Sequence, residues 1–561
     1  MEDKKREKVK FKDLLLSISE LNDRQIKEVF QLQKSSGKKL EEILIKKGYI
    51  TEEALIEVLE LQLGISCLDL DKFYIDPETT MLITENMAKK YTLIPIKKEN
   101  NKIKVAMADP LNIFAIDDVE IYTGLKVEPV ISTRKQISYY IDQYYDKQNA
   151  EKAIEDFEKQ YDIDEKKIEE ELTTDVDNAP VVRLVNAIIR QAVKSRASDI
   201  HIEPLEKEVR VRFRIDGELQ EIMRPAKSTH SAIVTRIKIM GKMDIAEKRI
   251  PQDGRVEAEV DNKYIDLRIS ILPTVFGEKI VLRLLDRTSA LIFKKDLGFT
   301  KDNLKKFNNI IKTPNGMIIV TGPTGSGKTT TLYTILTELN TINKNIITVE
   351  DPVEYRLNGI NQVQVNTKTG LTFANGLRSI LRQDPDVIMI GEIRDIETAQ
   401  IAVRASITGH LVITTMHTND APTTITRLLN MGVAPYMVSS SLVAVLAQRL
   451  VKKICKNCKE KYYASKYEMK LLDIDDSAVL YKGKGCPQCY YTGYKGRIAI
   501  HEIMPITNNI KDIIDIGKSV TDLRKEAIAQ GMVSLYENCR ELVLNGTTTI
   551  DEMNRVTYNM E

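Results

Sequence analysis

The sequence predicts a multidomain α/β protein, and three observations carry that reading. Its 561 residues suffice for three or four cores of ordinary domain size. Midway along the chain, a buried-type strand from Met317 to Val320 enters the glycine-rich loop GPTGSGKTT, and an amphipathic helix leaves it. Farther on, apolar strands end in acidic residues, as in a parallel sheet that holds its ligand at the carboxyl edge.

Composition removes several classes of function. With 82 basic and 81 acidic residues the formal charge is +1, so binding of nucleic acid through bulk positive charge is excluded. The longest apolar stretch, Met437 to Ala447, contains three serines and falls short of the roughly 18 residues a spanning helix needs. The opening MEDKKREKVK leads into no hydrophobic signal core, and a cytosolic location is expected. Cys67 and Cys539 are isolated, whereas the other four cysteines form two close pairs, which suits a metal site better than disulfides.

The N-terminal region, residues 1–145, begins with an internal repeat. Apolar residues at Phe11, Leu15, Leu21, Ile26 and Phe30 recur 29 positions later at Leu40, Leu44, Ile50, Leu55 and Leu59. Each unit reads as a pair of short amphipathic helices, and residues 69 to about 145 read as a small α/β partner. Residues 146–177 are charged and glycine-free, and read as a linker. An α+β domain follows over 178–288: a helical VVRLVNAIIRQAV, then VRVRFRIDGELQEI, which turns at Asp216-Gly217 between two strands. The remaining parts are a core at 289–450, a cysteine element at 451–500 and a helical region at 501–561.

In the loop Gly322-x4-Gly327-Lys328-Thr329, the glycines permit close approach of backbone N–H groups to phosphates. Lys328 would reach the β and γ phosphates and Thr329 would hold Mg²⁺. Thr324, Gly325, Ser326 and Thr330 complete the expected nucleotide contacts. Glu350, Asp351 and Glu354 follow one downstream strand, and Glu392 follows the strand Val387 to Ile390. His410 and His417 bracket the strand LVITTM and are two of only five histidines in the chain; an isolated histidine is more often structural, and this placement sets a role near the γ-phosphate on equal footing with that reading.

These segments resemble the secretion ATPases of type II secretion and type IV pilus systems, specifically the pilus assembly (extension) group. The resemblance rests on GPTGSGKTTTL, ITVEDPVEY, LRQDPDVIMIGEIRD and TGHLVITTMHTNDA, with ASDIHIEP, RFRIDG and DIAEKRIPQDGR farther out. It implies a RecA-like core, a PAS-like domain before it, and a cytoplasmic homohexamer that hydrolyses ATP. It also implies an inner-membrane platform protein as partner, pilins served indirectly, and no direct nucleic acid. By the same resemblance Glu354 polarises the attacking water, Glu392 organises Mg²⁺, and His410 and His417 sense the γ-phosphate.

Alternation in VRVRFRI places Arg210, Arg212 and Arg214 on one strand face. A solvated strand surface is the plain reading. The resemblance implies instead that Arg212 and Arg214, and also Arg268, serve a neighbouring subunit's site as fingers in trans. Cys455-x2-Cys458 and Cys486-x2-Cys489, 27 residues apart, suit a closed structural Zn²⁺ site, with a redox pair as the alternative.

The 29-residue repeat resembles nucleotide-sensing modules of this ATPase group, some of which bind cyclic di-GMP. Here Lys10-Phe11-Lys12 and Lys39-Leu40-Glu41 replace the arginine-leucine-glycine pattern, so docking to the platform is preferred. A type II secretion or DNA-uptake pseudopilus motor shares the same core. A nucleic-acid motor is the more distant alternative, disfavoured by the EDPVE and TGH boxes.

Overall fold

The computed structural model describes residues 64–145, 180–261, 263–286, 294–475 and 478–557, with isolated positions between 43 and 60. Apart from those positions the 29-residue repeat lies outside the described residues, as do the charged stretch 146–177 and residues 287–293. The chain forms two compact units, residues 1–191 with 231–236, and residues 192–230 with 237–561.

In the first unit, strands β1 (Leu93–Glu99), β2 (Lys102–Met107) and β3 (Lys126–Ile131) form a sheet in that order. β2 and β3 are parallel and therefore need a crossover, which the helix Ile113–Thr123 supplies. Asn112 caps that helix and Gly124 ends it in the left-handed conformation. Ile94, Ile96, Val105, Val119 and Ile141 belong to the core beneath.

The second unit carries two larger sheets. The first contains β4 (Asp199–Pro204), β5 (Val209–Ile215), β6 (Glu218–Met223), β7 (Gln252–Val260), β8 (Lys263–Thr274) and β9 (Gly277–Asp286). Its order is β6-β5-β4-β9-β8-β7, antiparallel throughout. β5 shows the expected alternation: Val209, Val211, Phe213 and Ile215 are buried and the three arginines between them are half-buried.

The second sheet is built on β10 (Gly316–Thr321), β11 (Ile346–Glu350), β12 (Asn361–Gln364), β13 (Val387–Ile390), β14 (Leu411–Met416) and β15 (Leu442–Ile454). A small hairpin, β16 (Lys459–Tyr463) with β17 (Val479–Gly483), precedes the last strand, β18 (Tyr494–Pro505). The order is β12-β11-β13-β14-β10-β15-β18, parallel except for the final antiparallel pair. Packing on both faces explains why every residue of β10 and β14 is buried, the apolar run Met317 to Val320 included. Ile318 and Val320 face one core with Leu332 and Ile335, while Met317 and Ile319 face the other with Val412 and Val445. The limits expected for the cysteine element, 451 and 500, fall inside β15 and β18, so the element hangs from one continuous ribbon. Among the described residues no helix is long and apolar enough to cross a membrane.

Candidate nucleotide and zinc sites

The loop leaves β10 at Thr321 and enters the helix Lys328–Leu339. Gly322 has φ 148°, and a Cβ there would stand 2.4 Å from the Gln448 carbonyl, so only glycine fits. Gln448, buried on β15, braces the loop from beneath: its Nε2 donates to the Ser326 carbonyl (2.8 Å) and its Oε1 accepts from Thr331 Oγ1 (2.6 Å). The Lys328 ammonium donates to the carbonyls of Gly322 (2.8 Å) and Pro323 (3.1 Å). Burial pulls its pKa down to about 8, with Glu392 opposing and Arg449 adding to the fall.

A cavity of about 440 Å³ opens over this loop. It is lined by residues 324–330 and by Glu350, Glu354, Glu392, His417 and Arg497. Parallel strands bring these groups together because Glu350 and Glu354 lie at and just beyond the end of β11 and Glu392 just beyond the end of β13. Glu350 is buried and held by Thr348 Oγ1 (2.6 Å), Gln362 Nε2 (3.1 Å) and the Tyr333 hydroxyl. That hydroxyl also accepts the Glu354 backbone N–H at 3.3 Å, so Tyr333 ties the helix after the loop to the Glu354 segment. Glu392 pairs with Arg394 and, at 3.1 Å, with His417 Nε2.

The two histidines bracketing β14 part company. His417 lines the cavity, whereas His410 stands at the opposite end of the strand, about 23 Å away at seven residues of rise. Its Nδ1 donates to the Ala405 carbonyl at 2.9 Å. The expectation that both sense the γ-phosphate is therefore corrected for His410: the residues before and after a strand lie at opposite edges of the sheet, and only the carboxyl edge carries the cavity.

The arginines also divide. Arg210 and Arg212 reach Glu203 at 3.1 and 2.8 Å, joined there by Lys279 at 3.0 Å. Burial pushes the Glu203 carboxyl up, but hydrogen bonds from Arg212 and Lys279 together outweigh it and bring it down to about 2. Arg214 lies 3.6 Å from Asp199 and donates to the Gly217 carbonyl at 2.9 Å. Neither Arg212 nor Arg214 lines the cavity of its own chain. Arg268, expected to act in trans, instead meets Glu354 of its own chain at 2.8 Å.

Cys455, Cys458, Cys486 and Cys489 converge, with all four Sγ atoms within 4.8 Å of one another. The closest pairs are 3.7 and 3.8 Å apart, the tetrahedral edge of about 3.8 Å that 2.3 Å zinc–sulfur bonds require. Backbone N–H groups of Cys486 and Gly493 point at Cys489 Sγ at 3.2 and 3.3 Å, the outer-shell support that thiolate ligands use. The four thiols fit zinc and leave no open position.

Gln448, Tyr333 and Arg497 escaped the sequence reading. A glutamine inside the apolar run LVAVLAQRL was a signal for the first; the other two carried none.

A glycine-rich loop at the carboxyl edge of a mainly parallel sheet, ringed by three carboxylates, defines a RecA-like P-loop ATPase. The ATPase DotB of Yersinia pseudotuberculosis shares the fold: its structure is 19% identical with a TM-score of 0.52, covering 67% of this chain and 93% of that one. The model of the type II/IV secretion system protein family matches residues 174–555, and that of the MshEN domain matches residues 63–151. The chain is 43% identical over 552 residues to the type IV pilus assembly ATPase PilB of Myxococcus xanthus, covering 96% of this chain and 97% of that one. It is 41% identical over 560 residues to type II secretion system protein E of Xanthomonas campestris pv. campestris, covering 97% and 98%. The chain belongs to the type II/IV secretion system protein family and is an ATP-binding, ATP-hydrolysing member of it.

Proposed function

We propose that this ATPase powers type IV pilus assembly as a hexameric ring acting on an inner-membrane platform protein, with pilins polymerised as the indirect result. The observation that supports it most is the end-to-end match to a pilus assembly ATPase, 97% of which the chain covers. In this reading Lys328 binds the β and γ phosphates, Glu354 polarises the attacking water, and His417 meets the γ-phosphate end. Thr329 and Glu392 would hold Mg²⁺, which when bound neutralises charge on the phosphates. Arg212 and Arg214 would serve a neighbouring subunit's site, exchanging Glu203 and Asp199 for the nucleotide.

The type II secretion reading is supported by the equally complete match to a secretion protein E. The N-terminal domain is proposed to dock on the platform protein; the Lys10-Phe11-Lys12 and Lys39-Leu40-Glu41 pattern argues against cyclic di-GMP. Micromolar binding of that dinucleotide in calorimetry would reverse the preference. Lys328→Ala is expected to abolish pilus extension in cells while zinc content and fold persist. Retained extension would refute the motor role, and lost protein secretion with intact pili would select the second reading.

A further inference from the structure

The turn between β5 and β6 does more than connect two strands. Asp216 sits there at φ 49°, a left-handed conformation that asparagine and aspartate tolerate best. Its Oδ2 accepts the Gly496 N–H at 2.8 Å and its Oδ1 lies 3.4 Å from Arg497 Nε. Arg497, near the start of β18, lines the nucleotide cavity opposite the glycine-rich loop. The same seam holds two other contacts. The Ser195 and Tyr490 hydroxyls meet at 2.9 Å, and Glu218 pairs with the buried Lys452, which also reaches Glu552 at 3.3 Å. Of the three contacts, only Asp216 touches a residue of the cavity wall.

We propose that Asp216 is a positioning residue for the nucleotide: it fixes the Arg497 guanidinium at the cavity, so that docking of the six-stranded sheet and nucleotide affinity are coupled. An arginine meets a nucleotide through charge toward phosphate or by stacking on the base, and both require its plane to be held. The carboxylate of Asp216 holds it by ion pairing at Nε, while the Gly496 N–H fixes the carboxylate itself. Linkage makes the effect reciprocal: a bound nucleotide that engages Arg497 strengthens the seam as much as the seam strengthens binding.

The inference rests on the cavity being the nucleotide site, which Lys328→Ala tests separately through loss of ADP binding. The experiment is ADP affinity and ATPase kinetics on the full-length zinc-loaded protein. Asp216→Asn keeps a side-chain oxygen to accept the Gly496 N–H, and the turn conformation, but removes the charge facing Arg497. We expect Kd for ADP and KM for ATP to rise roughly two- to fivefold, the range for a half-exposed pair, with kcat preserved. Arg497→Gln should raise both by about tenfold. The double variant should match Arg497→Gln alone, because Asp216 acts only through Arg497. Glu218→Gln, on the same seam but away from the cavity, should leave both constants within about twofold. Additive losses in the double variant, an unchanged Kd in Asp216→Asn, or an equal rise in Glu218→Gln would each overturn the proposal.

Discussion

Arg268 and Glu354 form a 2.8 Å ion pair within one chain, joining β8 of the antiparallel sheet to the segment that follows β11 in the parallel one. Arg268 Nη2 also lies 3.3 Å from the Val353 carbonyl, so the guanidinium holds both the side chain and the backbone of that segment. Glu354→Gln is expected to lower kcat by roughly 100-fold or more, as loss of a water-polarising base does. Arg268→Ala should lower kcat with ADP affinity within about twofold, since Arg268 acts on the carboxylate and not on the phosphate cradle. Steady-state rates paired with equilibrium ADP binding separate the two effects; an affinity loss as large as the rate loss would contradict this placement.

Lys328 makes nucleotide binding depend on pH with a definite sign. Its ammonium titrates near 8 in the buried loop, and phosphate oxygens would raise that value on binding. Binding below pH 8 then involves no proton from this group, whereas above it a proton is taken up. Affinity should therefore fall as pH rises past 8, by at most about tenfold per unit. Calorimetry at about pH 9 in two buffers of different ionisation enthalpy should detect uptake approaching one proton, and at about pH 7 none. Absence of uptake at the higher pH would count against direct contact between Lys328 and phosphate.

The two histidines offer a clean contrast. His417→Ala should reduce kcat by about tenfold or more, because it removes the imidazole that faces Glu392 across the cavity. His410→Ala removes a hydrogen bond to Ala405 at the far strand end and should leave kcat and KM within about threefold, with a loss of about 1 kcal/mol in stability. Equal kinetic defects would refute the separation.

Zinc should be countable and structural. One zinc per chain is expected by elemental analysis of protein purified in reducing buffer, and Cys486→Ser should abolish it while lowering Tm. Zinc retained at full occupancy in that variant would contradict four-thiol ligation.

Tyr333→Phe should destabilise the chain by about 1 to 3 kcal/mol, since it leaves the buried Glu350 without one of its donors. It also frees the Glu354 N–H, so kcat should fall more than ADP affinity does. Thermal denaturation and kinetics on the same preparation test both parts.

The strand-loop-helix of the glycine-rich loop was legible because a both-sides-buried strand is a continuous apolar run and its loop needs glycines. VRVRFRI was legible for the complementary reason: alternation names its buried face without any knowledge of partners. What alternation cannot supply is where the outward arginines end up, so Glu203 and Asp199 as partners came only from the register of β4 against β5. His410 was misplaced because two residues flanking one strand are close in sequence yet lie at opposite edges in space. The limits of the cysteine element misled in a similar way. Local composition does not reveal the pairing of β15 with β18, which continues to Lys452↔Arg497 and, past a bulge, to Ile454↔Tyr494. Tyr333 and Arg497 gave no local pattern because their roles arise from contacts across long separations.

The β15–β18 ribbon joins two chemistries into one mechanical part. β15 is anchored to β10 as far as the pair Thr321↔Ala447, immediately beneath the glycine-rich loop. Past that point seven residues, about 24 Å of strand, run to Ile454 alongside β18, and the cysteine cluster begins at the next residue. A bulge between Lys452 and Ile454 interrupts that pairing, and the Lys452 and Ile454 N–H groups donate to Glu552 and to the Thr547 carbonyl, so the far end of the ribbon is braced by the C-terminal segment. A zinc ion held by the four cysteines at the tip would lock the two cysteine loops together, so that any displacement of the ribbon would reach the β16–β17 hairpin as motion of one body.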